Sequence, residues 1–140
     1  MDIAIDLGSD RTRVFIENKG KVLDEASVIT YDIDTGEIYA VGNDAYDMIG
    51  KTPVGIRAVH PLDSGVIAQS GLVEDMVSIL LQEVCTVKVV KPRVVTAIPC
   101  DLTLSINSIM VLAMVIQKKC NRSVHMSRMD ANIQSLLVMA

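Results

Sequence analysis

The chain predicts an α/β domain, on three observations. Ile3, Ile5 and Leu7 alternate with Ala4 and Asp6, the period-two pattern of a half-buried strand. Residues 72–84 instead put Val73, Met76, Val77, Leu80 and Leu81 on one stripe and Glu74, Asp75 and Ser78 off it, which is helical spacing. Val94-Val-Thr-Ala-Ile98 is an aliphatic run of the kind shown by a parallel strand covered on both faces. Half of the 140 residues are hydrophobic but only 3% are aromatic, so the core must be built from Val, Ile, Leu, Met and Ala.

Taken in order, strands are expected near residues 2–7, 11–18 and 20–25, forming a meander whose second turn is Asn18-Lys19-Gly20. An inserted segment from about 27 to 62 carries a turn at 32–36 and a short helix over 43–49, capped by Asn43 and ended by Gly50. The helix at 72–84 and the strand at 94–98 follow, the strand stopped by Pro99. A second helix is expected from a cap at Asp101 or Thr103 to Lys118-Lys119, whose charges suit a helix C-terminus. Residues 102–117 are apolar nearly all round yet too short to cross a bilayer, so this helix needs cover from the domain or from another subunit. A strand at 123–126 and a last helix from about 129 complete the order β-β-β-α-β-α-β-α. Residues 1–140 read as a single domain with the small subdomain at 27–62 inserted.

Chemistry concentrates at the first turn. Gly8 and Ser9 interrupt the apolar alternation, so backbone amides there can face an anion, and Asp6 at the mouth of the turn suits a bound cation. The net charge is −4 with no basic tract, which argues against nucleic acid as a partner. Cys85, Cys100 and Cys120 are too widely spaced for a zinc knuckle and read as reduced, buried thiols. No charged leader with an apolar signal core follows Met1, so a cytoplasmic location is expected. His60 and His125 read as structural or surface residues rather than catalytic bases.

The segments Asp2–Ile16, Val22–Val28, Asp34–Gly42, Ala45–Pro53 and Ile56–Ala68 together resemble, in order and spacing, the N-terminal half of the bacterial actin family of rod-shape-determining proteins, MreB and its paralogues. The resemblance runs from Met1 to about Pro99. It implies an actin-like ATPase domain half, built on the ribonuclease-H-like unit, with nucleotide held in a cleft between two such halves. Only the first half is matched, so ATP with magnesium would be bound weakly or not at all by this chain. By that match Gly8, Ser9, Asp10, Arg11 and Thr12 form the first phosphate loop, and Asp6 helps organise magnesium through water.

Two features depart from the family. Where it carries Thr-Ala-Asn-Thr after the glycine, this chain has Ser9-Asp10-Arg11-Thr12. A carboxylate about 4 Å from a phosphate costs on the order of 1 kcal/mol even in water; Arg11 could offset it by pairing with Asp10 or by bonding the phosphate. The stretch 124–129 supplies no Glu in any register, so no catalytic residue is assigned and ATP hydrolysis by the chain alone is expected to be negligible. Lys88, Val89, Val90 and Lys91 fall where related bacterial actins carry a hydrophobic loop that meets the inner face of the cytoplasmic membrane; valines flanked by lysines suit that contact, and the same residues also fit an edge strand. The expected function is cell-shape support by self-assembly near the membrane. A regulatory half-actin that caps a full-length relative, and half of an actin-fold kinase-type enzyme, are the alternatives.

Overall fold

The structure is a computed structural model that describes residues 2–63, 66–67, 69–84, 93–99, 125–128 and 135–139. The expected meander is present. β1 (Asp2–Leu7), β2 (Arg11–Ile16) and β3 (Gly20–Ala26) pair antiparallel in succession. Asn18 takes φ 65° and Gly20 φ 76° in the second turn, a left-handed geometry that Asn and Gly tolerate best. Phe15 pairs with Lys21 and Val14 with Leu23, so the ladder shifts there and Val22 is left exposed as the extra residue of a bulge.

The inserted segment holds more regular structure than the sequence reading assigned it. β4 (Ile29–Asp32) lies between β5 (Ile38–Val41) and β6 (Ile56–Val59) in a three-stranded antiparallel sheet. Each strand is only four residues long, too short for a period to stand out. The expected turn at 32–36 is there: Asp32 Oδ1 accepts the amides of Asp34 and Thr35, both at 2.8 Å, and Gly36 takes φ 73°. α1 (Asn43–Asp47) is shorter than expected and Asn43 is not its cap. The capping position falls on Gly42, and the Asn43 side chain turns away to accept the Ala26 amide at 3.2 Å. The Glu25 carboxylate accepts the Asn43 amide at 2.7 Å, so β3 supplies the acidic partner for the helix start. Gly50 follows the helix with φ 75°, as a terminator should.

β7 (Leu62–Asp63) and β8 (Val66–Ile67) make a small ladder before α2 (Ser70–Val84). All five stripe residues of α2 are buried, each at most 2% exposed. They pack against Ile3, Ile5, Leu7, Val14, Ile16 and Leu23 from one face of the meander, together with Ile29 and Leu62. Burying each such side chain is worth about 1.5–3 kcal/mol relative to exposure, so this seam dominates the stability of the described residues. β9 (Arg93–Pro99) runs parallel to β1, with Ile5 opposite Thr96, so the connection from β3 returns across the sheet by way of α2.

The end of the chain departs from expectation. β10 (His125–Arg128) begins two residues later than read, and where the end of a last helix from about 129 is expected, residues 135–139 form β11 (Ser135–Met139). β11 pairs antiparallel with both β9 and β10, giving the sheet order β10-β11-β9-β1-β2-β3. Leu136-Leu-Val-Met139 is an apolar run of strand length, and the free edge of β9 satisfies its backbone groups. The expected helix over 102–117, the lysine-flanked loop 88–91 and the three cysteines lie outside the described residues. No helix among the described residues is long and apolar enough to cross a membrane.

Candidate functional site

The β1–β2 connection, residues 8–10, is a tight turn closed by its own backbone. The Gly8 amide donates to Arg11 O at 3.1 Å, and a Cβ on Gly8 would lie 2.8 Å from that same oxygen. Glycine is therefore required here by close backbone approach. A second set of bonds ties the turn to Ser27, at the junction of β3 and β4. Ser27 Oγ donates to Gly8 O at 2.6 Å, the Ser27 amide donates to Asp10 O at 2.9 Å, and the Thr12 and Ser27 hydroxyls lie 2.9 Å apart. Thr12 and Ser27 are both buried.

The expected loop residues point three ways. Ser9 and Asp10 face a hollow of about 470 Å³, which His60, Leu62 and Asp63 also line. Thr12 is turned into the protein, its hydroxyl taken by Ser27. Arg11 and Asp6 lie among the charges of the opposite sheet face. Arg11 pairs with Asp24, not with Asp10: its Nε is 2.5 Å from Asp24 Oδ1, and its Nη2 donates to Asp24 O at 2.7 Å. Lys21 Nζ reaches Asp24 Oδ2 at 2.6 Å, and Arg13 bridges Asp24 at 3.6 Å and Asp6 at 3.2 Å. Cross-strand register explains this cluster, because Arg13 lies opposite both Asp6 and Asp24.

These contacts shift the titration of the cluster. Hydrogen bonds from Lys21 and then Arg11 lower the Asp24 carboxyl to about 2. The hydrogen bond to Asp24 raises Arg11 above its ordinary value. The hollow has a different balance, with Asp10 and Asp63 bringing two carboxylates beside one imidazole. Among the described residues no group of three or more His, Cys, Asp or Glu is arranged to hold a metal ion. From sequence alone, Ser27 and Asp24 are placed only within a resemblance segment and His60 only as a structural or surface residue, and none of them, nor Leu62 and Asp63, is assigned to the site. A lone serine between Ala26 and Val28 in an otherwise apolar stretch was the one available signal for Ser27.

Comparison with known proteins agrees with this architecture. The family described as MreB/Mbl protein matches residues 1–126, further than the segments around the loop alone suggest. The cell shape-determining protein Mbl of Bacillus cereus is 38% identical over 103 residues, covering 73% of this chain and 31% of that protein. The cell shape-determining protein MreB of Escherichia coli is 34% identical over 108 residues, covering the same shares. The chain thus spans about a third of the length of these relatives. Among solved structures, MreB5 of Spiroplasma citri bound to ADP has a TM-score of 0.70 at 30% identity, covering 81% of this chain and 34% of that one. The same protein bound to AMPPNP has a TM-score of 0.72 at 29% identity, covering 86% of this chain and 36% of that one. The shared meander, helix and parallel strand make this an actin-like α/β fold, and the chain belongs to the MreB/Mbl family.

Proposed function

We propose that this chain is a cell-shape actin-like protein, or a fragment of one, in which residues 8–12 form one wall of a nucleotide-phosphate site. The observation that carries the reading is the glycine turn, held by Arg11 O and Ser27 beside a hollow large enough for a phosphate group. The related structures bound to ADP and AMPPNP support it. Gly8 and Ser9 supply the close backbone approach, and the amides of Ser9 and Asp10 are the donors for phosphate oxygens. The residues fit such a group on one side only, because Asp10 and Asp63 bring negative charge to the same hollow. Magnesium bound with the nucleotide would supply the balancing charge, and Asp6 would reach it through water after exchanging its contact with Arg13. ATP is the expected nucleotide, held weakly, and no residue of this chain is assigned to its hydrolysis.

Residues 1–140 act on this reading as one domain, with 27–62 as a small inserted subdomain. The chain associates with itself or with a full-length bacterial actin, in the cytoplasm at the inner face of the membrane. Lys88, Val89, Val90 and Lys91 make the membrane contact, which is weak for a single chain and gains strength through assembly. A second reading is favoured by Asp10: a loop that repels phosphate suits a nucleotide-independent regulator that caps a full-length relative. Sedimentation of the chain at raised concentration, with and without magnesium ATP and with anionic vesicles, separates the two. Nucleotide-dependent assembly that carries vesicles down supports the first. A constant small oligomer that shortens filaments of a full-length relative supports the second.

A further inference from the structure

An anion-binding turn must show donors and hide acceptors, and in this turn one buried residue, Ser27, takes up two acceptors, the Gly8 carbonyl with its hydroxyl and the Asp10 carbonyl with its amide. The Gly8 and Asp10 carbonyls flank Ser9 on either side. Both accept from Ser27, one from its hydroxyl at 2.6 Å and the other from its amide at 2.9 Å. Were either released, it could rotate toward the hollow at Ser9 and Asp10 and meet phosphate oxygens with a like partial charge.

The direction of the hydroxyl chain follows from valence. Gly8 O can only accept, so the one proton of Ser27 Oγ goes to it, and Thr12 Oγ1 must donate to Ser27 Oγ. The order Thr12 to Ser27 to Gly8 thus joins the start of β2 to the turn by way of the β3–β4 junction. Ser27 also stands where the main sheet passes into the small sheet: the next residue, Val28, offers its carbonyl to the Gly42 amide at 3.0 Å, just before α1. Both hydroxyls are buried, Ser27 at 0% and Thr12 at 1% exposure, so water does not compete for these bonds.

We infer that Ser27 is the positioning residue of the candidate phosphate loop: it orients the Gly8 and Asp10 carbonyls away from the hollow and joins the loop to the small sheet. This rests on the proposed reading of the loop, but the geometry can be tested without nucleotide. Hydrogen exchange of the nucleotide-free chain is compared between wild type and Ser27→Ala, followed by titration with magnesium ADP. A rise of tenfold or more in exchange at the 8–12 amides, with α2 and β1 unchanged, is the expected result. If wild type binds ADP, Ser27→Ala should weaken that binding by about tenfold. Unchanged exchange at 8–12, or a uniform rise across α2 and β1, overturns the inference. Loop-confined exchange with no ADP binding by wild type sustains Ser27's role and counts against the nucleotide reading alone. If the alanine chain does not fold, Ser27→Cys keeps the volume and weakens the donor; it should give a smaller rise confined to the same amides, and no rise there overturns the inference.

Discussion

Thr30 sits in the middle strand of the small sheet at 0% exposure, and its Oγ1 has no hydrogen-bond partner among the described residues. A buried hydroxyl without a partner costs on the order of 1 kcal/mol or more. Thr30→Val keeps the shape and removes that cost, so it should raise stability by about 1 kcal/mol, seen as a higher urea midpoint with an unchanged m-value. At Gly8 the opposite holds. Gly8→Ala drives a methyl group into Arg11 O, and the turn must open; a loss of about 1–3 kcal/mol is expected in the same assay. Asp24 gives the acid dependence. Its carboxyl is lowered to about 2 in the folded chain, against about 3.9 when unfolded. Its contribution is therefore complete above pH 4 and is lost as pH falls from about 4 to 2. Asp24→Asn should remove that part of the acid-dependent loss, a comparison best made at low salt because the cluster is partly open to solvent.

At the level of elements, legibility followed period and length. The α2 stripe and the β1 alternation could be read directly, because a long helix and a half-buried strand repeat often enough to expose their spacing. The three short strands of the small sheet could not. Ile29-Thr-Tyr-Asp32 is rich in strand-forming residues, but its place between β5 and β6 depends on pairing partners distant in sequence. The cap of α1 differs from expectation for a related reason: Asn43 is a good capping residue by type, but its side chain accepts the Ala26 amide of a distant strand, and the capping position falls on Gly42. Run length and edge pairing decided the last apolar stretch, where 135–139 pairs with β9 instead of continuing a helix. Met76 offers the clearest test of the α2 seam. It is fully buried at the centre of the stripe, so Met76→Ala should cost about 2–5 kcal/mol, measured by thermal or urea unfolding.

For the whole molecule, the sequence placed the turn correctly but could not give the direction of its side chains. Of the residues expected to face phosphate, Ser9 and Asp10 line the hollow, Thr12 turns inward to Ser27, and Arg11 and Asp6 join the charges around Asp24 and Arg13. That division comes from strand alternation combined with long-range partners, and only the alternation is visible in a linear pattern. With Arg11 bonded to Asp24, Asp10 has no direct ion pair with it, and its carboxylate repels an anion in the hollow. Calorimetric titration of the full chain with magnesium ADP, alongside Asp10→Asn, tests this most directly. Weak saturable binding by wild type, tightened about fivefold by removing a charge worth on the order of 1 kcal/mol, is the predicted result. No binding by either chain, or equal affinity in both, would contradict a phosphate site at Ser9 and Asp10.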